Sequence, residues 1–154
     1  MKLICLCVGA IAGALLLAGC GGGGDDSGGD KTISKQEFIA KADAICKKGT
    51  ERMQVAFLAG IKGTANLTKV SKAEQEKLVG SAIVPSVERE VKELRSIGIP
   101  DGDEEKVDAM IGALEEGAET AKRDPGAVAD SSDAVFGIAS RIAGEYGLKD
   151  CGIR

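Results

Sequence analysis

The chain has 154 residues, with 20 basic against 24 acidic side chains, no histidine, no tryptophan, three phenylalanines and one tyrosine. Without histidine, Ser-His-Asp and Cys-His catalysis, histidine-ligated zinc and CxxCH haem attachment are all excluded. A formal net charge of −4 disfavours nucleic acid and anionic headgroups as partners.

Lys2 is the one charged residue before Asp25, and residues 3–18 form a short apolar run interrupted by Cys5, Cys7, Gly9 and Gly13. That pattern is the n-region and h-region of a signal peptide. It is shorter than the roughly 20 apolar residues of a transmembrane anchor, and it passes directly from Gly19-Cys20 into four glycines. Leu17-Ala18-Gly19-Cys20 resembles the lipobox of bacterial lipoprotein precursors: large aliphatic, small, small, cysteine. The resemblance implies cleavage after residue 19 and a thioether-linked diacylglycerol on Cys20, with acylation (palmitate) of the new amino terminus left open. A single acyl chain, at about 0.8 kcal/mol per buried CH₂, binds a membrane only marginally, whereas two or three anchor durably. The alternatives are an ordinary secretory peptide or a membrane span in which Cys20 merely follows small residues. The lipoprotein reading places the chain at the outer face of the cytoplasmic membrane, with release or surface exposure left open.

Residues 20–33 then form a lipidated cysteine and tether, since Gly, Asp and Ser over residues 21–32 cannot bury apolar surface. A Gly-rich coil of that length reaches roughly 20 Å. Residues 34–154 suit one domain of ordinary size. Loss of residues 1–19 removes one lysine and no acid, leaving 19 basic and 24 acidic side chains and a net charge of −5.

Of the five cysteines, Cys5 and Cys7 leave with the signal peptide and Cys20 is acylated, so Cys46 and Cys151 remain. In an oxidising compartment two remaining cysteines are read as a disulfide; two buried free thiols or an intermolecular bridge are the alternatives. A catalytic cysteine is disfavoured, because no histidine is present to activate it.

Ser34-Lys35-Gln36-Glu37 reads as a capping box, with Ile33 and Phe38 as a hydrophobic staple. The helix it opens carries Phe38, Ile39, Ala42, Ile45, Cys46, Met53 and Phe57 at three-and-four spacing, and ends near Gly60 or Gly63. Ser71-Lys72-Ala73-Glu74 opens a second helix containing Pro85. Proline cannot donate to the Ser81 carbonyl and crowds it, which predicts a kink there or a break near Val84. Beyond it, Glu88, Arg89, Glu90, Lys92, Glu93 and Arg95 alternate in charge and read as a solvated face, with Glu88/Lys92 and Arg89/Glu93 pairs at i,i+4. Pro100 stops this element, and acids at Asp101, Asp103, Glu104 and Glu105 open a third helix. Val107, Met110, Ile111, Leu114, Ala118 and Ala121 form its stripe, ending before Asp124-Pro125-Gly126. A last helix begins near residues 130–132, carries Val135, Phe136, Ala139, Ile142, Ala143 and Tyr146, and stops at Gly147.

No segment alternates as a strand does, so the expected fold is all-α: an antiparallel four-helix bundle with a proline-kinked second helix and one disulfide. A last helix about ten residues shorter than the first could end part-way along it and bring Cys151 to Cys46. The sparse aromatic core, with Gly80, Gly112, Gly117, Gly137 and Gly144 inside helices, gives the bridge a stabilising role.

No catalytic set emerges, and no cofactor or metal is called for. Asp101, Asp103, Glu104 and Glu105 lack the EF-hand spacing and read as helix capping. Glu115, Glu116 and Glu119 read as an exposed face paired with Lys122 and Arg123. Asn66-Leu67-Thr68 fits a glycosylation pattern that is incidental in a lipobox-bearing chain, and the tetraglycine precedes no strand-to-helix turn.

Residues 38–46 (FIAKADAIC), Pro85 and residues 146–152 (YGLKDCG) resemble a group of uncharacterised small exported actinobacterial proteins. The resemblance implies a helical exported domain with paired cysteines and carries over no catalytic residue. The expected function is therefore a lipid-anchored extracytoplasmic binding or interaction module of the cell envelope, with an envelope protein or a small ligand as partner. The alternative is a carrier holding a small apolar ligand between helices near Pro85, Ile83, Val84 and Val87, and an envelope enzyme using carboxylates is third.

Overall fold

A computed structural model describes residues 33–61 and 70–151. The signal peptide, Cys20, the tether and the Asn66-Leu67-Thr68 triplet lie outside the described residues. Every regular element among the described residues is helical: α1 Lys35–Gly60, α2 Lys72–Leu78, a π-turn Val79–Ile83, α3 Val84–Arg95, α4 Glu104–Arg123, α5 Pro125–Asp130 and α6 Ser132–Tyr146. They form a helical bundle in which α3 packs against both α1 and α4, and α4 packs against α6.

Local chemistry sets the ends. Ser34, Ser71 and Ser131 each stand at an N-cap in extended backbone, and their hydroxyls accept from Glu37 N, Glu74 N and Ala134 N, which satisfies donors that a helix start leaves orphaned. At Ser71 the capping box is reciprocal, with Glu74 Oε2 accepting from Ser71 N at 2.9 Å. At Ser34 the Glu37 carboxylate instead lies 2.7 Å from Lys41 Nζ. Gly147, at φ 107°, ends α6 in the left-handed region, where glycine carries no Cβ penalty.

The helix through Pro85 neither breaks nor keeps one register. From residue 72 to residue 95 it is continuous, and the change falls in the turn before the proline, where Val84 N bonds Val79 O five residues back. Pro85 has no N–H for the Ser81 carbonyl and its ring would crowd it, and widening the preceding turn relieves both. Pro85 itself is exposed.

Between α4 and α6 the sequence reading missed a helix. Asp124-Pro125 was expected to end helical structure, but Asp124 Oδ1 accepts from Ala127 N at 3.1 Å and Pro125 takes the first helical position. An N-cap acid followed by proline is a start signal as well as a stop. Helix α5 buries Gly126 and Val128 and lies against α2, where Lys72 Nζ meets Asp130 Oδ2 at 3.2 Å.

The core takes Phe38, Ala42 and Cys46 from α1, Val87, Val91 and Leu94 from α3, the α4 stripe of residues 107–121, and Phe136, Ala139, Ala143 and Tyr146 from α6. Gly117 belongs to this packing, since a Cβ there would lie 2.5 Å from two carbons of the Phe136 ring. Its missing side chain lets α6 approach α4. Burial on α1 stops at Gly49, and in the last ten residues of the helix Val55 and Leu58 are 69% and 65% exposed.

Cys46 and Cys151 are disulfide-bonded, with Cα atoms 5.1 Å apart. At 15 residues, α6 is shorter than the 26-residue α1, so the chain leaving α6 meets α1 part-way along it. Asp43, one turn before Cys46, holds the arriving turn: its Oδ1 accepts from Lys149 N at 2.8 Å and from Asp150 N at 2.9 Å.

Candidate functional site

Beside the widened turn before Pro85, side chains of four elements face one another. Phe57 on α1, Leu78 at the end of α2, Val79 and Ile83 in the π-turn, and Val128 and Ala129 on α5 line a cleft of about 320 Å³, with Val70, Gln75 and Ser132 completing it. The lining is apolar apart from Gln75 and Ser132, and Gln75 Nε2 already donates to Val70 O at 3.0 Å. The volume lies at the small end of the roughly 300–1,000 Å³ usual for ligand clefts. Of the residues expected around a cavity at Pro85, only Ile83 lines this one; Val84 and Val87 are 5% and 0% exposed in the core. Phe57, Val128 and Ala129 were not foreseen as lining, because their meeting depends on α5 and on the crossing of α1, which no local pattern encodes.

The acids fall into two groups. Several on the surface are engaged: Glu115 takes Arg95 through two contacts, at 2.9 and 2.8 Å. Lys122 Nζ lies 2.7 Å from Glu119 and 2.6 Å from Glu88, and hydrogen bonds to these two carboxylates push its pKa up to about 12. The hydrogen bond from Arg95 holds the Glu115 carboxyl below the usual range. Glu88 and Glu93 pair across helices, Glu88 with Lys122 and Glu93 with Arg52 at 3.6 Å, where the sequence had suggested partners one turn along the same helix.

Asp103 does not cap α4 with its side chain. Its Oδ2 instead accepts from Tyr146 Oη at 2.7 Å and lies 3.5 Å from Lys35 Nζ. The Tyr146 hydrogen bond, then the Lys35 charge, hold the Asp103 carboxyl below its ordinary value, while burial and the same carboxylate raise the Tyr146 phenol. Lys35 also stands 4.0 Å over the Tyr146 ring, and that ring meets Phe38 edge-on at 5.7 Å. Asp101, Glu104 and Glu105 are exposed around the start of α4.

Among the described residues the second group is a single buried acid, and it departs from what the sequence suggested. Glu90, expected on a solvated face with its charged neighbours, is 1% exposed. Its Oε1 lies 3.1 Å from Cys46 Sγ, and its Oε2 is 2.6 Å from where a Cβ on Gly49 would sit. Glycine at 49 is what admits the carboxylate. Ser86, on the same helix, donates to Gly49 O at 3.0 Å and fixes α3 against α1 at that point. Glu90, Cys46 and Cys151 form a buried set whose ligand-type atoms all lie within 4.8 Å of one another.

No helix among the described residues is long and apolar enough to cross a membrane. Comparison of the chain with protein-family models, curated proteins and solved structures found no match.

Proposed function

We propose that this chain is a lipid-anchored binding module of the cell envelope, held at the outer face of the cytoplasmic membrane through acyl chains on Cys20, and that the cleft beside the π-turn receives a small apolar ligand. In this reading the four long helical rods run as an antiparallel bundle, with a bend at Pro85 holding the cleft open. The anchor rests on Leu17-Ala18-Gly19-Cys20. The observation that carries the ligand reading is the cleft itself, lined by Phe57, Leu78, Val79, Ile83, Val128 and Ala129 from four elements at the one irregular turn in the helix. Binding is favoured over a carboxylate enzyme because the surface acids Glu88, Glu115 and Glu119 are each engaged by a cation.

The test is saturable binding of a fluorescent naphthylamine probe. One site per chain is expected, with binding lost in Ala129→Phe, which fills the cleft, and kept in Val55→Ser/Leu58→Ser, which removes exposed apolar side chains of α1. The opposite pattern would assign the probe to the exposed α1 face and remove the cleft from the account.

A further inference from the structure

We infer that reduction of the Cys46–Cys151 bond turns the core cluster into a metal site, in which Cys46, Cys151 and Glu90 hold one borderline-soft divalent cation of the Zn²⁺ class. The site is distinct from the apolar cleft and does not depend on it.

The three groups come from three separate elements: Cys46 from α1, Glu90 from α3, and Cys151 from the turn that follows α6. Each is at least 97% buried, so the cluster is not a chance meeting of surface side chains. A disulfide sulfur has no proton to donate, yet both sulfurs face an oxygen acceptor: Glu90 Oε1 at 3.1 Å from Cys46 Sγ, and Ala42 O at 3.6 Å from Cys151 Sγ. These oxygens suit the reduced chain, in which each sulfur carries a proton or binds a cation.

The geometry is close to what a tetrahedral ion requires. Metal–sulfur distances near 2.3 Å and metal–oxygen distances near 2.0 Å set ligand edges of about 3.8 Å between two sulfurs and about 3.5 Å between sulfur and oxygen. The ligand atoms lie within 4.8 Å of one another here, so adjustments on the order of 1–2 Å suffice once the S–S bond is open. Cys46 and Glu90 sit on packed helices, whereas Cys151 sits on a terminal turn held to α1 by the two hydrogen bonds to Asp43. The turn is the part that moves.

Two thiolates and one carboxylate select zinc-like ions over calcium or magnesium, which prefer all-oxygen sets. Three protein ligands leave a fourth position for water. Two thiolates and a carboxylate exceed the charge of a divalent ion by one, and the Arg52 guanidinium stands close by: a Cβ on Gly49 would lie 2.6 Å from Glu90 Oε2 and 3.9 Å from Arg52 Nη2. Arg52 Nε and Nη2 are buried without a hydrogen bond, and Nη2 lies 3.6 Å from Glu93 Oε2.

The reaction balances with a dithiol as reductant. Thiol–disulfide exchange passes two electrons and two protons from the dithiol to the bridge, giving thiols at Cys46 and Cys151 and oxidising the dithiol to its own disulfide. Binding of the divalent ion then releases both thiol protons to solvent. Exchange with a disulfide oxidant runs the reaction back: the two thiolates form the Cys46–Cys151 bond, the oxidant takes up their two electrons and two protons from solvent to become a dithiol, and the ion is released.

The test uses the full chain in detergent with Cys5→Ser, Cys7→Ser and Cys20→Ser, reduced by a phosphine under anaerobic conditions and titrated with Co²⁺. The expected result is a cobalt–thiolate charge-transfer band with tetrahedral d–d absorption, saturating at one ion per chain, abolished by Zn²⁺ and absent from the oxidised chain. Glu90→Gln should weaken Co²⁺ binding by about tenfold or more, the loss already seen when a mere supporting group is removed. Circular dichroism accompanies each titration. A reduced chain that stays folded without developing the band, one that is unfolded and not refolded by Zn²⁺, or equal Co²⁺ affinity in Glu90→Gln would each overturn the assignment.

Discussion

Tyr146 Oη donates to Asp103 Oδ2 at 2.7 Å, joining the last turn of α6 to the entry of α4. The bond ties stability to pH at both ends of the scale. Asp103 titrates below its ordinary value in the folded chain, so its contribution is present above the usual carboxylate range and is lost as pH falls through the depressed folded value. Tyr146 titrates above its ordinary value, so its contribution is full below the usual phenol range near pH 10 and declines as pH rises beyond it. Urea midpoints measured across pH should therefore form a plateau between about pH 5 and pH 9. In Tyr146→Phe, the Asp103 carboxyl followed by NMR should move back up toward its ordinary value; an unchanged titration would mean that the Lys35 and Lys106 charges set it.

Opening the disulfide should cost much of the stability. Cys46 and Cys151 are 105 residues apart, and closing a loop of that size removes unfolded-state entropy worth up to about 4.7 kcal/mol. Denaturation with and without reductant, and of Cys151→Ser against the parent, should show a loss of about 2–5 kcal/mol without metal.

Two glycines of α4 should respond in opposite directions to the same change. Gly117→Ala drives a methyl into the Phe136 ring, with Val135 O at 3.3 Å behind it, and should destabilise by about 1–3 kcal/mol as overpacking does. Gly112→Ala meets nothing within 4 Å and should stabilise by up to about 1 kcal/mol through helix propensity. Urea denaturation of both variants, compared in one buffer, checks the sign of each.

Pro85→Ala links the π-turn to the cleft. An N–H at position 85 can donate to the preceding turn, so the Val79–Ile83 segment should relax toward α-helical register and gain about 1 kcal/mol. The cleft lined by Val79 and Ile83 should narrow with it. A higher melting midpoint with weaker probe binding is the expected pair of results, and unchanged probe binding would separate the proline from the site.

What the sequence made legible was local. Ser34, Ser71 and Gly147 mark helix ends because their signals act within four residues, the start of α6 was placed only to within residues 130–132, and the pairing of Cys46 with Cys151 followed from how few cysteines the lipobox resemblance left. Glu90 was hidden by the alternating charges around it, although it stands three residues after Val87 and four before Leu94, on the stripe both of them bury. Its accommodation depends on Gly49 of another helix, which no single-helix pattern conveys. Helix α5 was hidden because Asp124-Pro125 serves equally as a stop and as a start, and the cleft it completes was lost with it.

The most direct measurement is native mass spectrometry of the protein purified from the cells that make it. Binding in the cleft predicts one non-covalent apolar molecule per chain, retained by the wild type and absent from Ala129→Phe. A wild-type spectrum showing only the polypeptide with no non-covalent adduct would contradict the assignment of the cleft as a ligand site.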